Sequence, residues 1–552
     1  MTAEEWCVRA PDFPDFDPTT PVLIRALAAR HGDRELIVAD DGRLTFAAAD
    51  AISARMARSL LAAGAGKGTR VGICFANGAE WVLAWLAATR IGAVAVPLNT
   101  FFKARELGWM LRHADVAVLL TTARLGNNDL LAHLEEIAPE LRGATPGALR
   151  SPAVPHLRSV YAFGDHRPWA LPGEALRHEP ADAAIDDALL RAVEACVTPA
   201  DPMVILYSSG STADPKGAIH THGTVVRHSY QLARLRGVRS EDRLWSPMPF
   251  FWVGGLVFAL LGSMHAGACL VTESVFDPAR TLALLERERV TSAVGWPHFG
   301  KALVEHPDFP KRDLSALRSG NIPNLLPPNV CPADPELRPN GLGMTETCGP
   351  HTYTGEGALP EERRGCFGAA IAGVEHKVID PESGRVLGAN EVGEICVRGY
   401  SRMQGLYKRE RAETFDADGF YHTGDSGYFT EDGLLYFKGR LGEMIKSAGA
   451  NVTPSEVESV LASFAEVKEA YVVGIPDAQR GERVAAAVVL EPGASTSAAE
   501  LKARAKTQLA AYKVPRHLLL TAHDALPFTD SGKIEKRKLR ALLEERVAAG
   551  EI

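Results

Sequence analysis

Between residues 21 and 140 the apolar positions of this chain switch repeatedly between helical spacing and short continuous runs. Ala47 to Ala63 carries apolar residues at helical spacing, and Arg70 to Phe75 is a short β-rich run. Trp81 to Arg90 is helical again, and Ala93 to Leu98 reads as a buried strand. Such alternation predicts parallel sheets flanked by helices. Residues 143 to 181, rich in Pro, Gly and Ala, predict a long connection with one strand at Ser159 to Phe163. Phe251 to Val271 is nearly all apolar and about long enough to span a bilayer. Gly254, Gly255, Gly262, Gly267 and His265 interrupt it, so it reads as a buried helix and strand.

The pattern changes character at Gly439-Arg440-Leu441-Gly442. Before it, 393 to 438 is turn-rich β. After it comes a compact αβ segment: helix Ser455 to Phe464, strands Ala470 to Gly474 and Val484 to Leu490, and helix Ala498 to Leu509. The expected fold is therefore α/β. A large N-terminal domain (1–440) of αβ-layered sheets plus a β-rich subdomain joins a small α+β C-terminal domain (441–552). Gly442 is the candidate hinge, because glycine absorbs large backbone changes at low cost.

At 552 residues the chain exceeds what one core serves. Its 46% hydrophobic and 23% charged residues are those of a globular, water-soluble protein. A net charge of −8 argues against nucleic acid or anionic membrane as partner. The 8 cysteines form no CxxC pair, which suggests neither zinc site nor disulfide framework and fits a reducing cytoplasm. The N-terminus lacks an apolar signal core.

Candidate chemistry sits in a few polar, glycine-punctuated stretches. Tyr207 to Gly217, YSSGSTADPKG, follows the apolar run Met203 to Leu206. A strand opening into such a loop can turn backbone N–H groups and the hydroxyls of Ser208, Ser209, Ser211 and Thr212 toward one anion, with Gly210 allowing the turn and Lys216 adding charge. An ordinary surface turn is the plainer reading, and the order Pro215-Lys216-Gly217 is not that of a Walker A loop. In Gly341 to Thr347, GLGMTET, two glycines (Gly341 and Gly343) permit close approach to a flat ligand. There Thr345 offers a hydrogen bond to phosphate and Glu346 a hard oxygen for Mg²⁺. Asp425, in Tyr421-His422-Thr423-Gly424-Asp425, can accept from two ribose hydroxyls or simply cap a turn, and Arg440 can add a charged contact. Lys533 closes Pro527 to Lys533, PFTDSGK, in a basic tail.

Together and in this order, these motifs resemble those of the adenylate-forming (AMP-dependent synthetase/ligase) superfamily, and particularly its free-standing fatty-acid and aryl acyl-CoA synthetases. The resemblance runs from about Leu44-Thr45-Phe46 to Lys533. It implies ATP, Mg²⁺ and coenzyme A as cofactor and co-substrates, with a small-molecule carboxylate as partner. It casts Thr345, Glu346 and Lys533 as catalytic, with Glu346 on the metal. It gives the phosphate loop, Gly341, Leu342 and Gly343 to the nucleotide, Asp425 and Arg440 to the ribose, and Gly449 to the pantetheine tunnel. Gly320 and Asn321, in Ser319-Gly320-Asn321-Ile322-Pro323, stand where the family places its adenine loop. Trp252, Gly255, Trp296 and Pro297 stand where it lines the acyl pocket. The chain departs from the family at Ala213 (usually Gly), Leu342 (usually aromatic), Trp252 (often His) and Gly442 (usually Asp or Lys).

The implied reaction is an acid–thiol ligation through an acyl-adenylate. Two anions must meet in line, so catalysis is positioning and charge neutralisation. Apolar lining favours a fatty, aromatic or polycyclic acid. No Asp stands at the position that pairs a substrate amine in amino-acid-activating relatives, which argues against an amino acid. An acyl-AMP ligase serving a carrier protein, a catalytically weak nucleotide-binding homologue, and a membrane transporter using Phe251 to Val271 are the rival readings; a homodimer is the assembly considered. Lys533→Ala is expected to abolish adenylate formation but largely spare thioester formation from supplied acyl-AMP. Equal loss of both half-reactions, followed by pyrophosphate release for the first and thioester yield for the second, would refute that role.

Overall fold

The computed structural model describes residues 13–126, 128–208, 215–443, 445–447, 450–477, 481–509, 513–529 and 532–552. The chain divides into two compact units. The first takes in the chain through His376, with 397–421 and 433–435; the second comprises 377–396, 422–432 and 436–552.

The first unit is built on two sheets. One has eight strands in the order Gly405–Leu406, Lys216–Thr221, Pro202–Ser208, Val94–Pro97, Arg70–Cys74, Val118–Thr122, Ser159–Phe163, Leu171–Pro172. Its centre is parallel, and only Lys216–Thr221 and its neighbours on that edge run antiparallel. The other has six strands: Ser319–Gly320, Ser292–Ala293, Arg243–Trp245, Cys269–Val271, Glu35–Ala39 and Gly42–Thr45. All its pairings are parallel except the last. The alternation read from the chain is thus realised as layered αβ sheets.

Helix Ala79–Arg90 touches strands of both sheets, Arg70–Cys74 and Val94–Pro97 in one and Glu35–Ala39 and Gly42–Thr45 in the other. That explains its composition. A helix covered on all sides must be apolar all round, and Trp81 and Trp85 are fully buried within it. Its last residue, Arg90, is also fully buried, with Nε on Glu194 at 2.7 Å and Nη1 on Asp50 at 2.8 Å. Helix Phe46–Ala62 beside it starts where the Thr45 hydroxyl accepts from Ala48 N at 3.1 Å, capping an otherwise orphaned donor.

The apolar run 251–271 is buried, but its helix is unusual. Gly254–Leu261 is π-helical and runs into the α-helix Gly262–Ala266, then the strand Cys269–Val271. A Cβ at Gly255 would lie 2.0 Å from the Pro249 carbonyl oxygen, so glycine is required where the chain folds onto itself. Among the described residues no helix is long and apolar enough to cross a membrane.

The second unit contains a sheet in which Gly481–Leu490 is the common partner. Val467–Asp477 and Ile445–Ser447 pair with it antiparallel, His517–Leu520 pairs parallel, and Ala450–Val452 adds to Ile445–Ser447. Strand alternation gives this sheet two apolar faces. Val484, Ala486 and Val488 join the core under helices Pro454–Ala462 and Ala498–Ala505. Ala485, Ala487 and Val489 join the core under helix Lys536–Ala548, through Leu539 and Leu543. The two long strands exceed their expected lengths, and the second helix ends at Ala505 rather than Leu509.

Arg90 is a fully buried cation shared by Glu194 and Asp50; its removal leaves Glu194 to Arg25 alone and takes a charged partner from the partly exposed Asp50, so Arg90→Met is expected to destabilise the chain by about 1–3 kcal/mol. A denaturant midpoint unchanged from the parent would contradict this.

Candidate active site

Strands Pro202–Ser208 and Lys216–Thr221 are paired up to Ser208 and Lys216, so the glycine-rich segment joins two adjacent antiparallel strands. Ser208 and Lys216 stand at the two strand ends; Ser209, Gly210, Ser211, Thr212 and Ala213 lie outside the described residues. The Ser208 hydroxyl donates to Glu346 Oε1 at 3.3 Å. The two motifs, far apart in sequence, therefore meet at one carboxylate. Glu346 is only 9% exposed, and its backbone carbonyl accepts from Met403 N at 2.8 Å.

The loop carrying Thr345 and Glu346 is fixed from within and from below. The Thr347 hydroxyl donates to Gly349 O at 2.7 Å and accepts from Met344 N at 3.2 Å. Cys348 adopts left-handed backbone, φ 61°, at the end of the short helix Thr345–Thr347. Its thiol is fully buried and its pKa raised by that burial, so it stays protonated. Beneath the loop, His220 Nε2 donates to Thr345 O at 2.7 Å and His228 Nε2 to Pro350 O at 2.8 Å. His351 Nδ1 and His376 Nε2 lie 2.8 Å apart. Carbonyl acceptors fix the tautomers of His220 and His228, with the proton on Nε2. Desolvation pushes His220 and His228 down to about 4 and His376 to about 3, so all three are neutral at pH 7.

Beside this loop a cavity of about 710 Å³ opens in the first unit. Ser319, Gly320, Asn321, Gly341, Gly343 and Met344 line it, as do Val253, Gly254, Phe258 and Trp296. The candidate adenine block and part of the candidate acyl pocket thus share one space. Asn321 Oδ1 accepts from Gly295 N at 3.0 Å, which ties the side-chain oxygen to the backbone and makes Nδ2 the donor the amide has to offer. Leu342 is buried and tied through its backbone to Thr352 and His351. Trp252 stacks edge-on against Trp296, ring centres 5.6 Å apart, and Gly255 packs on Pro249. Pro297 opens the helix Pro297–Val304.

In the second unit Asp425 is 2% exposed on strand Tyr421–Phe429, and Arg440 Nε lies 2.8 Å from its Oδ1. Arg440 Nη1 also donates to Thr423 O at 3.2 Å. A buried acidic group oriented by a half-exposed guanidinium can take vicinal hydroxyls and still keep its counter-charge. Gly442 lies in the short helix Leu441–Glu443 with open space where a Cβ would point. Gly449 falls outside the described residues. Lys533 is exposed, and its backbone exchanges hydrogen bonds with Thr529, at 3.1 and 2.8 Å.

Residues 24–407 match the model of the AMP-binding enzyme family, and residues 456–533 that of the AMP-binding enzyme C-terminal domain. The chain belongs to this family. It is 33% identical to YngI of Bacillus subtilis, over 94% of this chain and 96% of that protein. It is 31% identical to the bovine mitochondrial medium-chain acyl-CoA ligase ACSF2, over 95% of this chain and 87% of that protein. Among solved structures it superimposes on the anthranilate CoA ligase AuaEII in complex with anthranoyl-AMP. The TM-score is 0.78 at 25% identity, covering 99% of this chain and 100% of that one. Fold and family membership agree, and the activity class is that of an ATP-dependent acid–thiol ligase using Mg²⁺ and CoA.

Sequence reasoning did not find the histidine layer. His220, His228, His351 and His376 are isolated in the sequence, and only the fold stacks them under residues 345–350. Their signal was faint: His220 and His222 sit in or next to an apolar strand that offers them no water. The consequence is acid sensitivity with a defined sign. Folded-state pKa values below the ordinary 6.5 mean that the unfolded chain binds more protons, so stability is full above about pH 6.5 and falls toward pH 4. Thermal midpoints should decline across that window, and His220→Gln, which keeps a donor to Thr345 O, should flatten the decline; a pH-independent midpoint would contradict it.

Proposed function

We propose that the protein activates an apolar-bodied carboxylic acid with ATP and passes the acyl group to the thiol of coenzyme A. The observation that carries this reading is the shared cavity. Its nucleotide-side residues, Gly320, Asn321, Gly341 and Gly343, and its acyl-side residues, Val253, Gly254, Phe258 and Trp296, face one space beside Glu346. A carboxylate held among the latter and an α-phosphate among the former need no more than positioning to react. The carboxylate oxygen forms a bond to the α-phosphorus as the bond to pyrophosphate breaks. The thiolate then attacks the acyl carbon, and AMP leaves with the bonding electrons.

Roles follow the chemistry of each side chain. Glu346 and Ser208 offer hard oxygen atoms side by side, a donor set that suits Mg²⁺. Bound there, the ion would neutralise phosphate charge. Thr345 donates to phosphate, as do Ser208 and the loop 209–212, while Lys216 orders that loop. Asp425 and Arg440 hold the ribose, an assignment their pairing supports. Lys533 neutralises the charge that develops between carboxylate and α-phosphate. Residues 1–440 act as the nucleotide and acyl domain and 441–552 as a mobile domain turning about Gly442, with Gly449 beside the pantetheine arm. Gly442 is exposed, and as glycine it absorbs backbone change at low cost, which supports a hinge there. Trp252, Gly255 and Pro297 are assigned to the acyl pocket, and the edge-on contact of Trp252 with the cavity-lining Trp296 supports that role for Trp252. The medium-chain acyl-CoA ligase relatives place fatty acids among the first acids to test. A cytoplasmic homodimer is the working assembly.

A panel of aliphatic, aromatic and polycyclic acids, assayed with ATP, Mg²⁺ and CoA by AMP release, tests the reading. At least one acid should give CoA-dependent AMP and thioester. If thioester forms only on carrier-bound pantetheine, the acceptor is a carrier protein; if no acid releases AMP, the ligase reading fails.

A further inference from the structure

The cavity is not apolar throughout. Arg236, 7% exposed, lines it at the end of helix His222–Leu235. Its guanidinium lies over the Phe258 ring, 3.8 Å from the centroid, and Nη1 donates to Phe258 O at 2.5 Å. Among the described residues no carboxylate lies within ion-pairing distance of it. Tyr353 and Glu356 line the same space, joined by a 2.7 Å hydrogen bond from the phenol to Oε1. Arg239, Arg318 and Asp242 complete the ionisable lining, and Asp242 is engaged by Arg318 at 2.5 Å.

Glu356 and Asp242 attract this buried cation only through space, without a direct ion pair, and its one Nη1 bond to a carbonyl satisfies one of five N–H donors. The ionisable lining also carries one more cation than anion, three arginines against Asp242 and Glu356. The Phe258 carbonyl and ring hold the guanidinium in place, so its orientation is set before any ligand enters. Such a site discriminates strongly, because a ligand lacking the partner atom leaves the donor dry and unpaired.

We propose that Arg236 is a specificity-determining residue that donates a hydrogen bond to an oxygen at the far end of the acyl group, so that the substrate is a carboxylic acid bearing a second oxygen function. The proposal rests on the acyl-cavity assignment above. A second carboxylate and a neutral keto or hydroxyl oxygen present the same acceptor to the guanidinium; the carboxylate also balances the excess charge, whereas the hydroxyl can in addition donate to Glu356.

The test uses the full chain and matched sets of alkyl, hydroxy, keto and dicarboxylic acids across a range of lengths. Each is assayed for kcat and KM by AMP release, and for binding to the ATP-free chain by calorimetry. At the best length an oxygenated acid should exceed its alkyl counterpart about 10- to 100-fold in kcat/KM, the worth of a charged hydrogen bond. Arg236→Met should erase that preference by raising KM for the oxygenated acid while leaving kcat for the alkyl acid within about twofold. Arg236→Lys, which keeps the charge, should retain part of it. The better of the dicarboxylic and neutral arms identifies which oxygen is read. An alkyl acid preferred by the parent, or equal losses for every acid in both variants, would overturn the proposal and leave Arg236 a brace for the Phe258 turn. If no acid releases AMP, the ligase reading falls, and the Arg236 contact is decided by the binding preference alone.

Discussion

The hydrogen bond from Ser208 to Glu346 is the point on which the site depends. It joins the end of a sheet strand to a loop contributed by a remote part of the chain, and it sets the Ser208 hydroxyl on a buried carboxylate. Pro202–Ser208 is held by antiparallel pairing with Lys216–Thr221 as far as Ser208 and by parallel pairing with Val94–Pro97 at Val204. The loop is rigid because Thr347 ties it internally, Met403 N holds the Glu346 carbonyl, and His220 holds that of Thr345. Catalysis by positioning requires such stiffness, since misplacement by about an ångström can cost two orders of magnitude in rate.

The histidines that brace this loop act as neutral hydrogen-bonding groups rather than as acids or bases. Burial removes the option of charge, and fixed tautomers turn each ring into a directional strut. A lysine or glutamate in the same place would have to bring a counter-ion into the core. Cys348 follows the same logic: its left-handed backbone is a strained turn, and its buried thiol fills space without reactivity.

Much of this was legible in the chain because it is local. The period changes that mark Phe46–Ala62, Arg70–Cys74 and Ser159–Phe163 are written in consecutive residues, and so are the motifs around Ser208, Thr345 and Asp425. What could not be read is what depends on contacts across the fold. The π-helical turns of Gly254–Leu261 arise where Gly255 folds against Pro249, which no helical periodicity announces. The charged lining of the cavity was likewise invisible. Arg236, Tyr353 and Glu356 belong to segments that look like ordinary helix end and loop, and only tertiary packing turns them onto one space.

The glycines that line the cavity have a further consequence. A Cβ at Gly320 would meet Ala293 O at 1.9 Å, one at Gly341 would meet Thr352 O at 2.6 Å, and one at Gly343 would meet Gly349 O at 2.4 Å. These are collisions with the protein's own backbone, so the fold demands glycine there whether or not a nucleotide ever binds. A descendant that had lost all activity would still have to keep them in order to fold. These glycines therefore report on the fold, and evidence of working chemistry has to come from side chains that folding does not require.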